Sequence, residues 1–160
     1  MGTAQELVLF IEENQERFYR VAYTYVKNSE DALDIVHDAI VRALQSYGSL
    51  RNPEYAQTWF YRILINESIS FLRKNRKTIS LEEVPAPGAP DAPGDKYMDL
   101  YAAVDKLSPD MKTVVILRFF EDMKLDEISR ITSTNLSTVK SRLYRALKQL
   151  KLDMEVLDHD

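Results

Sequence analysis

The sequence contains no cysteine. Disulfides, thiolate zinc sites and cysteine nucleophiles are therefore excluded, and the chain suits a reducing compartment. Histidine is almost as scarce. His37 and His159 are the two present, they fall on unrelated segments, and no HExxH helix or glycine-rich phosphate loop accompanies them. Catalysis is not expected, nor is a metal, an organic cofactor or a small-molecule substrate. No run approaches the roughly 18 apolar residues of a membrane span. Met1–Gln15 lacks the basic start and apolar stretch of a signal peptide. A cytoplasmic protein with no direct membrane insertion is expected. Glycine and proline are missing from residues 3–47, which removes the two strongest helix breakers from that stretch. What is present suffices for a globular fold: 160 residues, 45% of them apolar, enough for one ordinary domain or two small ones.

Acidic residues outnumber basic ones, 25 to 21, for a formal net charge of −4. A nucleic-acid footprint is a local patch rather than a whole-chain average. Residues 112–151 carry nine basic and four acidic side chains, whereas residues 152–160 carry four acids and no base. Basic charge gathers at Arg73–Lys77 and at Lys140–Lys151.

Ala4 to Lys77 reads as helices. Ser29 is suited to an N-cap, with Glu30 and Asp31 in the first turn where the helix dipole favours acids. Ala32, Leu33, Val36, Ile40 and Leu44 continue that helix as an apolar stripe. Tyr47–Pro53 reads as a loop on Gly48, Asn52 and Pro53, and a long helix follows over Ala56–Lys77. Leu81–Gly94 then holds four prolines, two glycines and no aromatic residue, the composition of an extended linker. Beyond it, Tyr97–Lys106 reads as helical. Ser108-Pro109 starts a helix that runs through Met111–Phe120, Leu125–Thr132 is a short helix with Leu125, Ile128 and Ile131 inward, Ser133–Leu136 is a turn, and Ser137–Lys151 is the last helix. The acidic tail is expected to fray. The fold class is thus all-α: two small helical domains, residues 1–77 and 96–160, joined by a proline-rich linker at 78–95.

Two surfaces carry chemistry. With Lys140 set at 0° and about 100° per residue, Tyr144, Lys148, Ser141 and Arg145 fall between about 40° and 140°, while Val139, Leu143, Leu147 and Leu150 fall between about 260° and 340°. One face packs on the domain and the other offers cations, a hydroxyl and a tyrosine with no acid. Such side chains pair with phosphates and base edges. Thr134, Asn135 and Ser137 stand at the helix start, where free backbone N–H groups hold phosphate. A short helix, a four-residue turn and a basic helix together make a helix-turn-helix. The second surface lies on Ala56–Lys77. That helix is apolar on two sides, with a narrow polar stripe of Arg62, Asn66, Ser70 and Arg73 edged by Trp59. An unpaired base needs such a stacking platform with cations nearby.

Four ordered blocks resemble sigma factors of the extracytoplasmic-function group of the sigma-70 family: Asp31–Leu44 (DALDIVHDAIVRAL), Thr58–Asn66 (TWFYRILIN), Leu117–Ile128 (LRFFEDMKLDEI) and Thr138–Leu147 (TVKSRLYRAL). The likeness covers about residues 15–151 and is greatest to a Bacillus-type subgroup that answers envelope stress. The resemblance implies a region 2 bundle over about Phe18–Lys77. Its Asp31, Asp34 and Asp38 would dock on the β′ clamp coiled coil of core RNA polymerase. The loop Tyr47–Tyr55 and the following helix would open the minus-ten element and capture a flipped base, at the family positions matched by Trp59 and Asn66. Arg62 and Arg73 join that site by the helical projection above. It implies a region 4 over about Tyr97–Lys151, with the β flap as a second polymerase contact. There Lys140, Ser141, Tyr144 and Arg145 would read the minus-thirty-five element, Thr138 would lie beside them, and Arg142, Lys148 and Arg118 would contact phosphates. Promoter DNA and an anti-sigma factor are the further partners implied. His37 stands where the group usually has glutamine, and Ser133 where glycine is frequent in the turn. The rival reading is a free-standing helix-turn-helix regulator, which has no use for Asp31–Leu44 or Thr58–Asn66.

Overall fold

The computed structural model describes the backbone of residues 4–79, 100 and 102–158, and the side chains of these apart from 75–79 and 153–158. Every regular element among the described residues is helical. The chain divides into two compact units, Met1–Pro85 and Ala86–Asp160. The linker expected at 78–95 lies outside the described residues from position 80 onward.

The first unit contains α1 (Ala4–Glu13), α2 (Gln15–Val26), α3 (Ser29–Ser46) and α4 (Ala56–Ile79), with two single 3₁₀ turns, Tyr47–Ser49 and Pro53–Tyr55, between the last two. Helices α2, α3 and α4 pack on one another, and α1 lies against α4. At the centre Phe18 and Phe60 pack with ring centroids 4.6 Å apart and planes tilted by 47°. The edges of Phe10 and Tyr61 close on Phe18 at 5.5 and 5.3 Å.

The unit departs from its local sequence pattern in three places. Asn28, not Ser29, caps α3: its backbone is extended and its Oδ1 accepts from Asp31 N at 2.9 Å. Ser29 instead accepts a hydrogen bond from Tyr19 Oη at 3.0 Å. The buried face of α3 is also rotated from the expected stripe. Ala32, Ile35, Val36, Ala39 and Ala43 are buried, while Leu33 is 58% exposed and Leu44 45% exposed. Three alanines let neighbouring helices approach closely and set the roll of α3, so the larger leucines turn outward. In α4 the two expected apolar sides form one broad face, because Tyr61 and Ser68 are buried between them. Ser68 satisfies its hydroxyl on the Leu64 carbonyl at 2.9 Å, as a buried hydroxyl must.

The second unit has a helical stretch at 102–105, then α5 (Pro109–Val115) continuing into a π turn (Ile116–Phe120), α6 (Leu125–Thr132) and α7 (Leu136–Asp158). Ser108 caps α5 as expected, accepting from Met111 N at 3.4 Å with Pro109 at the first helical position. The π turn closes through Glu121 N to Ile116 O at 3.0 Å. Helices α5 and α6 pack on α7, and Ala103, Val104 and Leu107 from the preceding segment join Val115 of α5 and Ala146 and Leu150 of α7 in one buried cluster. Leu147, expected in that core, is 43% exposed, and Ala146 occupies the inward position. The tail expected to fray is helical over residues 152–158. Pro109 and Gly94 are the last proline and glycine of the sequence, so no helix breaker interrupts α7.

Candidate nucleic-acid interface

The helix-turn-helix is α6, the turn at Ser133–Asn135, and α7. Ser133 adopts the left-handed conformation at φ 55° and closes α6 with its N–H on Ser129 O. A glycine would take that conformation without the steric penalty of about 1 kcal/mol. The turn is held from several directions. Thr134 N donates to Ser129 O at 3.2 Å, and Ser129 Oγ donates to Thr134 O. Thr132 Oγ1 donates to Ile128 O and lies 2.8 Å from Thr134 Oγ1. The single proton of Thr132 is thus used, which makes Thr134 the donor between them. Asn135 Oδ1 accepts from Thr138 N at 2.7 Å and caps α7. One backbone N–H that the sequence offered to a phosphate is therefore taken inside the protein.

Beyond the cap, Ser137, Lys140, Ser141, Arg145 and Lys148 are exposed, and Tyr144 is 75% exposed. Val139, Ala146 and Leu150 hold the reverse face in the core. The outward face matches the expected set, with no acid among it. Thr134 and Thr138 are half-buried. Two of the expected phosphate contacts have internal work. Arg142 is half-buried on the flank of α7, its Nη2 3.7 Å from Asp110 Oδ2 on α5. Arg118 donates from Nη1 to Met123 O at 2.9 Å and fastens the segment between the π turn and α6. A guanidinium has five N–H donors, so each keeps others for a phosphate.

On α4, Asn66, Ser70 and Arg73 are exposed, and Trp59 and Arg62 are half-buried at the start of the same stripe. Trp59 meets the ring of Tyr47 edge-on, with centroids 6.4 Å apart and planes at 68°. Beside Asn66, Glu67 accepts from Arg42 Nε of α3 at 2.7 Å. That pair joins α4 to α3 beside the stripe.

On α3, Asp34 and Asp38 are exposed and Asp31 is half-buried. Burial, and then the neighbouring carboxylates Asp34 and Glu30, hold the Asp31 carboxyl above the usual carboxylate range. The exposed residues Leu33, His37, Val41 and Leu44 run along the helix beside these acids. Sequence reasoning placed Leu33 and Leu44 in the core and assigned Val41 no part. The alanines at 32, 39 and 43, spaced seven and four apart, were the signal that the buried side lies elsewhere.

No helix among the described residues is long and apolar enough to cross a membrane. Residues 10–78 match the family Sigma-70 region 2, and residues 97–150 match Sigma-70, region 4. The chain is 46% identical over 150 residues to the RNA polymerase sigma factor SigV of Bacillus subtilis, covering 92% of this chain and 90% of that protein. It is 28% identical to the RNA polymerase sigma-E factor of Streptomyces coelicolor, over 100% and 92% of the two chains. The fold is similar to the sigma factor RpoE of Bartonella quintana, solved in complex with the anti-sigma factor NepR. That likeness has a TM-score of 0.72 and 24% identity, and covers 95% of this chain and 96% of the other.

Proposed function

The chain belongs to the extracytoplasmic-function group of the sigma-70 family, whose members are non-enzymatic factors that direct RNA polymerase to begin transcription, and we propose a division of that work between its two units. The first unit docks on the β′ clamp coiled coil through Asp31, Asp34 and Asp38 of α3, with Leu33, His37, Val41 and Leu44 adding apolar contact. It then opens the minus-ten element along α4. Trp59 stacks on an unpaired base, Asn66 bonds its edge, and Arg62 and Arg73 follow the strand. The second unit reads the minus-thirty-five duplex with α7. Lys140, Ser141, Tyr144 and Arg145 reach base edges, Thr134, Asn135, Ser137 and Thr138 line the helix start, and Lys148, Arg142 and Arg118 meet phosphates. The β flap holds this unit on the enzyme, and residues 78–95 let both DNA elements be met at once.

One observation carries the reading: the first unit presents a tryptophan-edged cationic stripe on α4, which packs on and pairs through Arg42–Glu67 with a helix of acidic and apolar outer face. A protein that only reads duplex DNA needs neither. An anti-sigma factor fits as a further partner. Bartonella RpoE was solved with one, and this chain exposes Leu33, Leu44, Tyr55 and Phe119, apolar surface that a partner would cover. A cytoplasmic location and control by envelope stress complete the proposal.

The test is Trp59→Ala with core polymerase. Closed-complex binding stays as in the wild type, opening of duplex promoter falls, and a template already melted at the minus-ten element restores transcription. Failure of the melted template to restore it makes Trp59 a packing residue and removes the stripe from the mechanism.

A further inference from the structure

Tyr47 stands where α3 ends and the loop toward α4 begins. Its ring is half-buried against Trp59. Its hydroxyl is sealed from solvent and has no hydrogen-bond partner among the described residues. Buried tyrosine hydroxyls ordinarily find a partner, and one left without it is destabilising. Phenylalanine would fill the same space against Trp59 without that cost. The surrounding loop is shaped by short-range bonds: Leu50 N to Tyr47 O at 3.1 Å, Ser49 Oγ to Ser46 O at 2.7 Å, and Tyr55 N to Asn52 O at 2.9 Å. At Gly48 an added Cβ would meet nothing within 4 Å. Open space thus borders the loop at Gly48.

We propose that Tyr47 is a positioning and strand-holding residue of the opening site. Its ring orients Trp59 in the unbound protein, and its hydroxyl gains its hydrogen bond when the loop moves and an unpaired nucleotide presents an acceptor. The unmade bond disfavours the resting loop relative to the engaged one, so part of the cost of moving the loop is offset when the strand arrives. The proposal rests on the strand-opening role of α4 and adds to it the residue that couples loop and strand.

The experiment compares Tyr47→Phe with Trp59→Ala, each as the full chain bound to core polymerase. Affinity is measured for duplex promoter in the closed complex and for a fork template whose minus-ten strand is unpaired. Thermal melting of each free protein is recorded alongside. Tyr47→Phe keeps the duplex affinity and a melting temperature at or above that of the wild type, and binds the fork about tenfold more weakly, equivalent to about 1.4 kcal/mol. Unchanged fork affinity, or a lowered melting temperature showing that the hydroxyl has a partner in the fold, overturns the proposal. If Trp59→Ala weakens fork binding while Tyr47→Phe does not, only the role of Tyr47 fails. If neither does, the strand-opening reading of α4 fails first.

Discussion

At the scale of single residues, the proposed function divides the outward face of α7 into groups that specify and groups that anchor. Arg145 lies exposed on the face opposite Val139 and Leu150, where a bidentate contact to one base distinguishes it from its alternatives by about 1–3 kcal/mol. Arg145→Ala therefore impairs one promoter position more than the others. Lys148→Ala weakens all sequences alike and reduces the dependence of log K on log salt by about 1. Binding measured over a salt series on single-position promoter variants checks both, and equal, sequence-blind losses contradict the assigned roles. Asp31 provides a second prediction. Its carboxyl pKa is raised by burial, Asp34 and Glu30, so the native state holds the proton more tightly than the unfolded state does. That contribution to stability is present below the unfolded pKa and is lost as pH rises through the higher folded one. Asp31→Asn should thus match the wild type in acid and exceed it near neutral pH, as read by denaturant unfolding across the carboxylate range, while binding core polymerase more weakly. A loss of stability at neutral pH would show that the carboxylate is favoured where it stands. Ser133 illustrates what the sequence could reveal at this scale. Ser133 stands where glycine is frequent in the turn, and its left-handed φ of 55° is the conformation that glycine adopts most readily.

At the scale of elements, boundaries marked by caps were legible and faces set by tertiary packing were less so. Ser108-Pro109 starts α5 and Leu125–Thr132 spans α6 as the pattern indicates, because capping chemistry and local periodicity are properties of the sequence itself. The roll of α3 was missed. Leu33 and Leu44 fit an apolar stripe on periodicity, yet Ala32, Ala39 and Ala43 are the residues at 0% exposure. Hydrophobicity ranks leucine above alanine, but close approach between helices favours the smaller side chain, and that competition is decided by neighbours the local pattern does not contain. The same competition turned Leu147 outward and Ala146 inward on α7. The π turn at Ile116–Phe120 had no sequence signal that the helical period could register. A direct test at this scale concerns the cap of α7. Asn135→Ala removes the acceptor of Thr138 N and should cost about 1 kcal/mol of stability. It should also weaken duplex binding through the altered start of α7, as measured by unfolding and by titration with promoter duplex. Retention of both values would assign the turn to the Ser129–Thr134–Thr132 bonds alone.

At the scale of the whole molecule, the shift in composition marks two units, as found, and each carries one of the two surfaces proposed to face DNA. Promoter recognition by tethered halves has a quantitative consequence. Once one half is bound, the other meets its element at an effective concentration set by the tether rather than by the solution. Each unit supplied alone should therefore bind its element far more weakly than the intact chain binds both together. The most direct measurement is transcription by purified core polymerase supplied with the full chain on duplex template containing the site that α7 protects, with the RNA 5′ ends mapped. The account predicts new transcripts that begin at a fixed distance downstream of that site and disappear when Trp59 and Arg145 are replaced by alanine. Strong binding of the chain alone to the same duplex, with no transcript added to those of core polymerase, would contradict it and leave a helix-turn-helix regulator in its place.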